Sequence, residues 1–195
     1  MPNLRAGRQT RHIPATIQTR SEGTEPVIAC YFAVFNSPTE LWPGCIEQIA
    51  PGAFASSMGN DVRALIDHDT RLVLGRTSAN TLTLREDENG LYGEIKINPQ
   101  DSDAMNLYAR VQRGDVNQCS FGFEITHEDY VVGADGQTCT WTLRDLILYE
   151  VSVVTFPAYE ATSAMARDAG GADPLQTIRL ERRKNDLLER IKNLC

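Results

Sequence analysis

Ser120 lies in the segment CSFGFEIT, where apolar and polar residues alternate. On a strand, successive side chains face opposite sides, so Cys119, Phe121, Phe123 and Ile125 belong to one face and Ser120, Gly122, Glu124 and Thr126 to the other. The first set is expected to face a core and Ser120 to face outward. Gly122, beside it, leaves room for another backbone to approach closely. Glu150 interrupts the run LILYEVSVV, and a carboxylate inside so apolar a stretch is costly to bury without a partner. Its parity groups it with Leu146, Leu148, Ser152 and Val154, which places the expected partner across the sheet on a neighbouring strand. His68 closes the run VRALIDH at the rim of an apolar face, where a strand gives way to a loop and catalytic bases are often found. Nucleophilic catalysis needs a hydroxyl, a base to activate it and a third group to orient the base; Ser120, His68 and Glu150 are the candidates for those roles.

Each of these residues also has a plainer reading. Ser120 would look the same as a solvated strand hydroxyl, Glu150 as an edge-strand carboxylate in water, and His68 as a structural histidine whose neighbours Asp67 and Asp69 raise its pKa. The other two histidines fit the role of base less well, because His127 would point away from Ser120 on an uninterrupted strand and His12 lies in a basic N-terminal stretch. Cys119 is a competent nucleophile by chemistry, yet parity puts it on the core face. No GxSxG elbow is present, which argues against an α/β-hydrolase.

The elements that must position these residues are mostly short β-rich runs punctuated by turn residues, at 27–35, 62–68, 72–77, 81–87, 91–98, 118–126 and 141–156. Asn89-Gly90 between two of them favours a tight hairpin over 81–98. DSDAMNLYARVQRG reads as a helix, with Asp101 or Ser102 as N-cap, apolar residues at 104, 107, 108 and 111, and Gly114 as the stop. A shorter helix through AFASSM is a weaker expectation. The chain should therefore be α+β, a mainly antiparallel β-barrel or sheet with a few packed helices. A basic arm is expected over 1–26, a folded domain over 27–164, and a flexible linker with an amphipathic helix over 165–195, where Leu180, Leu187 and Leu194 recur with Ile191 between them.

At 195 residues, with 42% hydrophobic and 23% charged residues, the chain suits one globular domain with tails. A net charge of -7 disfavours nucleic acid as the main partner. The absence of a secretory pattern or a long apolar run predicts a soluble, intracellular protein without a membrane partner. The five cysteines are odd in number and lack ligand spacing, so reduced thiols, no metal and no cofactor are expected.

Taken together, GTEPVIACYFAVFNSPTELWPGCIEQIAPGAF, ALIDHD, QCSFGFEI and LILYEVSVVTFPAY, in that order, resemble the caudovirus prohead proteases over about residues 10 to 165. The resemblance implies a serine endopeptidase similar in fold to herpesvirus assemblins. Its substrates would be the scaffold segments of capsid protein and then itself, and it would self-associate and work inside the immature capsid in the host cytoplasm. It implies His68 as base, Ser120 as nucleophile and Glu150 as the acidic third member, with Asp67 and Asp69 as alternatives for that last role. The other reading is a non-enzymatic capsid or scaffold assembly protein of the same fold.

Overall fold

The computed structural model describes residues 5, 7–14, 17–22 and 25–156, so the expected C-terminal linker and leucine-rich helix lie outside the described residues. In chain order the elements are β1 (Arg8–Pro14), β2 (Gln18–Glu22), β3 (Glu25–Val34), β4 (Thr39–Trp42), β5 (Cys45–Ile49), β6 (Arg63–Ile66), β7 (Asp69–Arg76), β8 (Leu82–Glu86), β9 (Gly90–Lys96), α1 (Ser102–Arg113), β10 (Gln118–Val132) and β11 (Cys139–Val154). The β-rich runs of the sequence are strands. The segment read as a basic arm holds β1 and β2, both paired into sheets.

The strands form two sheets. A seven-stranded sheet runs β1-β10-β11-β5-β4, with β6 also on β11 and β7 on β6; a four-stranded sheet runs β2-β3-β9-β8. Most pairings are antiparallel, but β5 and β6 lie parallel to β11, sharing the edge that β10 leaves free. Among the described residues the architecture is thus a mixed, sheet-dominated α+β fold without a closed barrel. Alternation of side chains reveals strands but not which edges meet, and for that reason the expected barrel was not excluded by the sequence.

The β8–β9 hairpin forms as the Asn89-Gly90 signal predicts. Gly90 is required there by close approach, since a Cβ on it would lie 2.0 Å from the Ala33 carbonyl oxygen. α1 is capped as its sequence specifies: the Asp101 carboxylate accepts from the Asp103 and Ala104 amides, and Gly114 ends the helix at φ 86°. Its apolar stripe, Ala104, Leu107, Tyr108 and Val111, is buried in the main core. It is the one α-helix among the described residues. AFASSM makes only a 3-10 turn over Ala55–Ser57, because so short a segment cannot offset the cost of nucleating an α-helix.

Both faces of β10 are covered over residues 119–123. Cys119, Phe121, Phe123 and Ile125 enter the core as their parity predicts, with Phe121 stacked on Phe123 at 4.8 Å between ring centroids. Gly122 pairs with Glu150 but Phe123 pairs with Leu148, so Tyr149 is an extra residue on β11. This bulge resets the alternation. Leu146 and Leu148 on one side of it, and Val151 and Val153 on the other, all reach the core, while Glu150 and Ser152 turn to the opposite face. The expectation that Glu150 shares a face with Leu146 and Leu148 fails for that reason.

The expectation of reduced thiols is also corrected in part. Cys45 and Cys139 stand opposite each other in the parallel β5–β11 register as a disulfide pair, Cα atoms 4.5 Å apart, beside Leu41 and Trp141. Their separation of 94 residues offers no spacing pattern from which to predict the pairing. Cys30 and Cys119 are free and buried.

Candidate active site

β10 and β11 set the two central residues. Ser120 lies opposite Ser152, and two residues further along β10 Gly122 lies opposite Glu150. Gly122 is what makes room for the carboxylate, because a Cβ there would stand 2.3 Å from Glu150 Oε1. Glu150 is 2% exposed, and its charge is matched by two close contacts. Oε2 accepts the Ser152 hydroxyl at 2.6 Å, and Oε1 meets His68 Nδ1 at 2.7 Å. The buried carboxylate therefore has the partner that its place in an apolar run called for, supplied by a turn and not, as expected, by a neighbouring strand.

His68 reaches Glu150 from the β6–β7 turn, where Asp67 and His68 take φ values of 47° and 61°. Two consecutive residues in the left-handed region are costly for non-glycine side chains, and other contacts hold them there. The Asp67 amide donates to the Val153 carbonyl at 3.1 Å, and the Asp67 carboxylate accepts both the amide and the hydroxyl of Thr155, at 2.7 and 3.1 Å. Asp67 thus straps the turn to the end of β11. Asp69 holds the amide of Arg71 at 2.9 Å and its guanidinium at 2.6 Å. Of the three carboxylates named as candidates for the third role, Glu150 is the one in contact with the His68 ring. With Nδ1–H donating to Glu150, Nε2 carries the lone pair; it is buried without a hydrogen-bond partner among the described residues.

Ser120 is fully buried, which corrects the expectation that it faces outward. β1 lies along the other edge of β10, with His12 opposite Ser120. The Ser120 hydroxyl donates to the Arg11 carbonyl at 2.9 Å, and His12 Nε2 lies 3.4 Å from Ser120 Oγ. The His12 and His68 rings meet edge to face, centroids 5.2 Å apart. Burial pushes the His12 pKa down to about 4, with the neighbouring His68 and Arg11 acting in the same direction and Glu150 opposing them. His12 is accordingly neutral at physiological pH. Sequence reasoning set His12 aside; the signal that could have placed it is the unbroken stretch RQTRHI, which carries no glycine or proline and can extend as an edge strand.

The competing residues lie elsewhere. Cys119 is in the core with its sulfur 2.9 Å from that of Cys30, whose thiol is pushed well up by burial and by this contact. His127 is exposed on the far part of β10, opposite Asp145. Among the described residues no group of three or more His, Cys, Asp or Glu side chains is gathered so as to hold a metal ion. No helix among them is long and apolar enough to cross a membrane.

A serine, a histidine and a carboxylate brought to one face of a sheet by three separate elements are the parts of a serine hydrolase. Comparison with known proteins fixes the class further: residues 14–173 match the caudovirus prohead serine protease family, and the chain belongs to it. It is 32% identical over 168 residues to the prohead protease of Enterobacteria phage HK97, covering 84% of this chain and 68% of the relative. To the prohead protease of Escherichia phage T5 it is 30% identical over 122 residues, covering 62% of this chain and 53% of that one. The fold resembles that of the bacteriophage T4 capsid assembly protease, with a TM-score of 0.51, 9% identity, and coverage of 77% of this chain and 98% of that structure. The chain is thus a serine protease of the phage capsid-maturation class.

Proposed function

We propose that Ser120 is the nucleophile, His68 the general base and Glu150 the group that orients and charges the base, in cleavage of scaffold segments of capsid protein and then of the protease itself within the prohead. The contact between His68 Nδ1 and the buried Glu150 carboxylate at 2.7 Å, on the face that carries Ser120, is the observation behind this reading. Glu150 fixes the tautomer in which Nε2 accepts a proton and stabilises the imidazolium once formed. In the acylation step Ser120 Oγ bonds to the substrate carbonyl carbon and its proton passes to His68 Nε2. The C–N bond then breaks, and the amine leaves with that proton. Water, deprotonated in turn by His68, releases the acyl group and restores Ser120.

For this to begin, the Ser120 hydroxyl must turn from the Arg11 carbonyl to His68 Nε2. Self-association inside the capsid and kinship of the fold with herpesvirus assemblins belong to the same proposal. The test is to co-produce the chain with the capsid protein of its own phage and follow intact masses, with a fluorophosphonate probe reporting the reactive residue. Processing and Ser120 labelling are expected in the wild type and neither in Ser120→Ala. Processing that persists in a folded Ser120→Ala chain overturns the assignment.

A further inference from the structure

β1 differs from every other strand around the site in lying almost wholly outside the stretch that matches the family, which starts at residue 14. It nevertheless pairs with β10 over seven residues, from Arg8 opposite Glu124 to Pro14 opposite Gln118, and covers the nucleophile. Charged side chains on it and just before it, Arg11 and Arg5, satisfy acids that belong to the matched domain. Glu47 on β5, only 3% exposed, takes the Arg11 guanidinium on both oxygens, at 2.5 and 3.0 Å, and also pairs with Arg5. The Arg11 guanidinium lies over the Phe123 ring, 5.5 Å from its centroid, and Arg5 reaches Glu128 on β10 at 2.8 Å. A carboxylate as buried as Glu47 is strongly destabilising without a cation, so a domain that exposes this site must meet another positive charge there.

The backbone of β1 runs as an extended peptide would when added to the open edge of β10. The carbonyl it sets against Ser120 is that of Arg11. The hydroxyl donates to that carbonyl oxygen, and His68 Nε2 has no hydrogen-bond partner among the described residues.

We propose that β1 stands in the place of the substrate: in the active protein an extended peptide lies antiparallel along β10 with a basic side chain where Arg11 now sits, and Glu47 is the specificity-determining residue that receives it. Cleavage then follows the basic residue, since its carbonyl is the one beside Ser120. This inference rests on the assignment of Ser120 for the cleavage step, whereas the binding of the strand does not depend on it.

The test opens β1 in the full chain. On an edge strand one of any two successive residues donates to its neighbour, so Gln9→Pro with Thr10→Pro removes a ladder bond and leaves β10 and Glu47 untouched. Arg5→Ala with Arg11→Ala opens the same edge by removing the charges, should the proline chain fail to fold. A fluorescent peptide of residues 7–14 is expected to bind either opened chain and not the wild type. Its Arg11→Ala form should bind roughly tenfold more weakly or worse, as for loss of one partner of a buried ion pair. Glu47→Gln in the opened chain should erase that difference, and cleavage of a peptide library should favour Arg or Lys before the cut. Equal binding to wild-type and opened chains, or indifference to Arg11, overturns the proposal. Binding as expected with fluorophosphonate labelling at a residue other than Ser120 supports the strand site and overturns the nucleophile instead.

Discussion

The two edges of β10 treat Ser120 in opposite ways. On one edge β11 supplies Glu150 and Ser152, and through Glu150 it holds His68 in a single orientation. On the other edge β1 supplies the Arg11 carbonyl, which occupies the hydroxyl, and His12, which fills the space beside His68. The first edge lies within the family match and the second almost wholly outside it. In the proposed reading one side builds the catalytic arrangement while the other closes it. Damage to β11 should lower activity, and damage to β1 should raise it.

The largest effects are expected on the β11 side. Members of a catalytic unit contribute non-additively, so Ser120→Ala and His68→Ala should each lower turnover of capsid protein on the order of 10⁴-fold or more, as read by the rate of mass change. Glu150→Gln keeps the shape but loses the charge that favours the imidazolium, and a fall of roughly 10²- to 10⁴-fold is expected. Circular dichroism must first show that each variant folds. An active, folded Glu150→Gln chain would remove Glu150 from the third role.

The difference between the edges also decides what the sequence could reveal. Glu150 was legible because a carboxylate inside LILYEVSVV needs a partner, and His68 because it closes an apolar run at a rim. The face of Ser120 was legible from simple alternation, which held for Cys119, Phe121 and Phe123. Alternation failed at Tyr149, since a bulge depends on how two strands are paired and leaves no mark in one of them alone. β1 was missed because its residues are polar and basic, as a solvated arm would be, and the acids that pair with Arg11 and with Arg5 just before the strand are on β5 and β10, remote in sequence. The hairpin and α1, whose signals are local turn and cap residues, formed where expected.

On the β1 side a smaller effect follows from His12. Its pKa stands at about 4 in the docked strand, lowered by burial and then by His68 and Arg11, with Glu150 opposing, against 6.5 for an ordinary histidine. A histidine whose folded value is depressed adds stability that is fully present above its ordinary value and is lost as pH falls toward the depressed one. Docking of β1 should therefore weaken between about pH 6.5 and 4. For the fluorescent peptide of residues 7–14 on an opened chain, the Kd should rise roughly tenfold at one pH unit below the ordinary histidine value. The same peptide with His12→Asn should show little of this rise. Equal pH dependence in both peptides would trace the effect to groups on the domain.

The smallest effects are expected at Asp67 and Asp69, the two carboxylates that flank His68 in sequence, and they sharpen the assignment of Glu150 by elimination. Asp69 binds the Arg71 amide and guanidinium on the surface, where solvent screens the pair and leaves it little to contribute. Asp69→Asn should leave turnover within about threefold of wild type, since it touches neither the His68 ring nor the strand that carries Ser120. Asp67 does more, because its carboxylate accepts two hydrogen bonds from Thr155 and keeps the turn against the end of β11. Asp67→Asn retains one acceptor oxygen but loses the charge, and should cost about 1 kcal/mol of stability in urea unfolding. Any loss of turnover should come from a less firmly held His68 and stay well below that of Glu150→Gln. The pH profile separates the two roles: a strap that only positions the turn scales the whole profile, whereas a partner of the general base displaces one of its limbs. A limb displaced by Asp69→Asn and unmoved by Glu150→Gln would transfer the third role to Asp69.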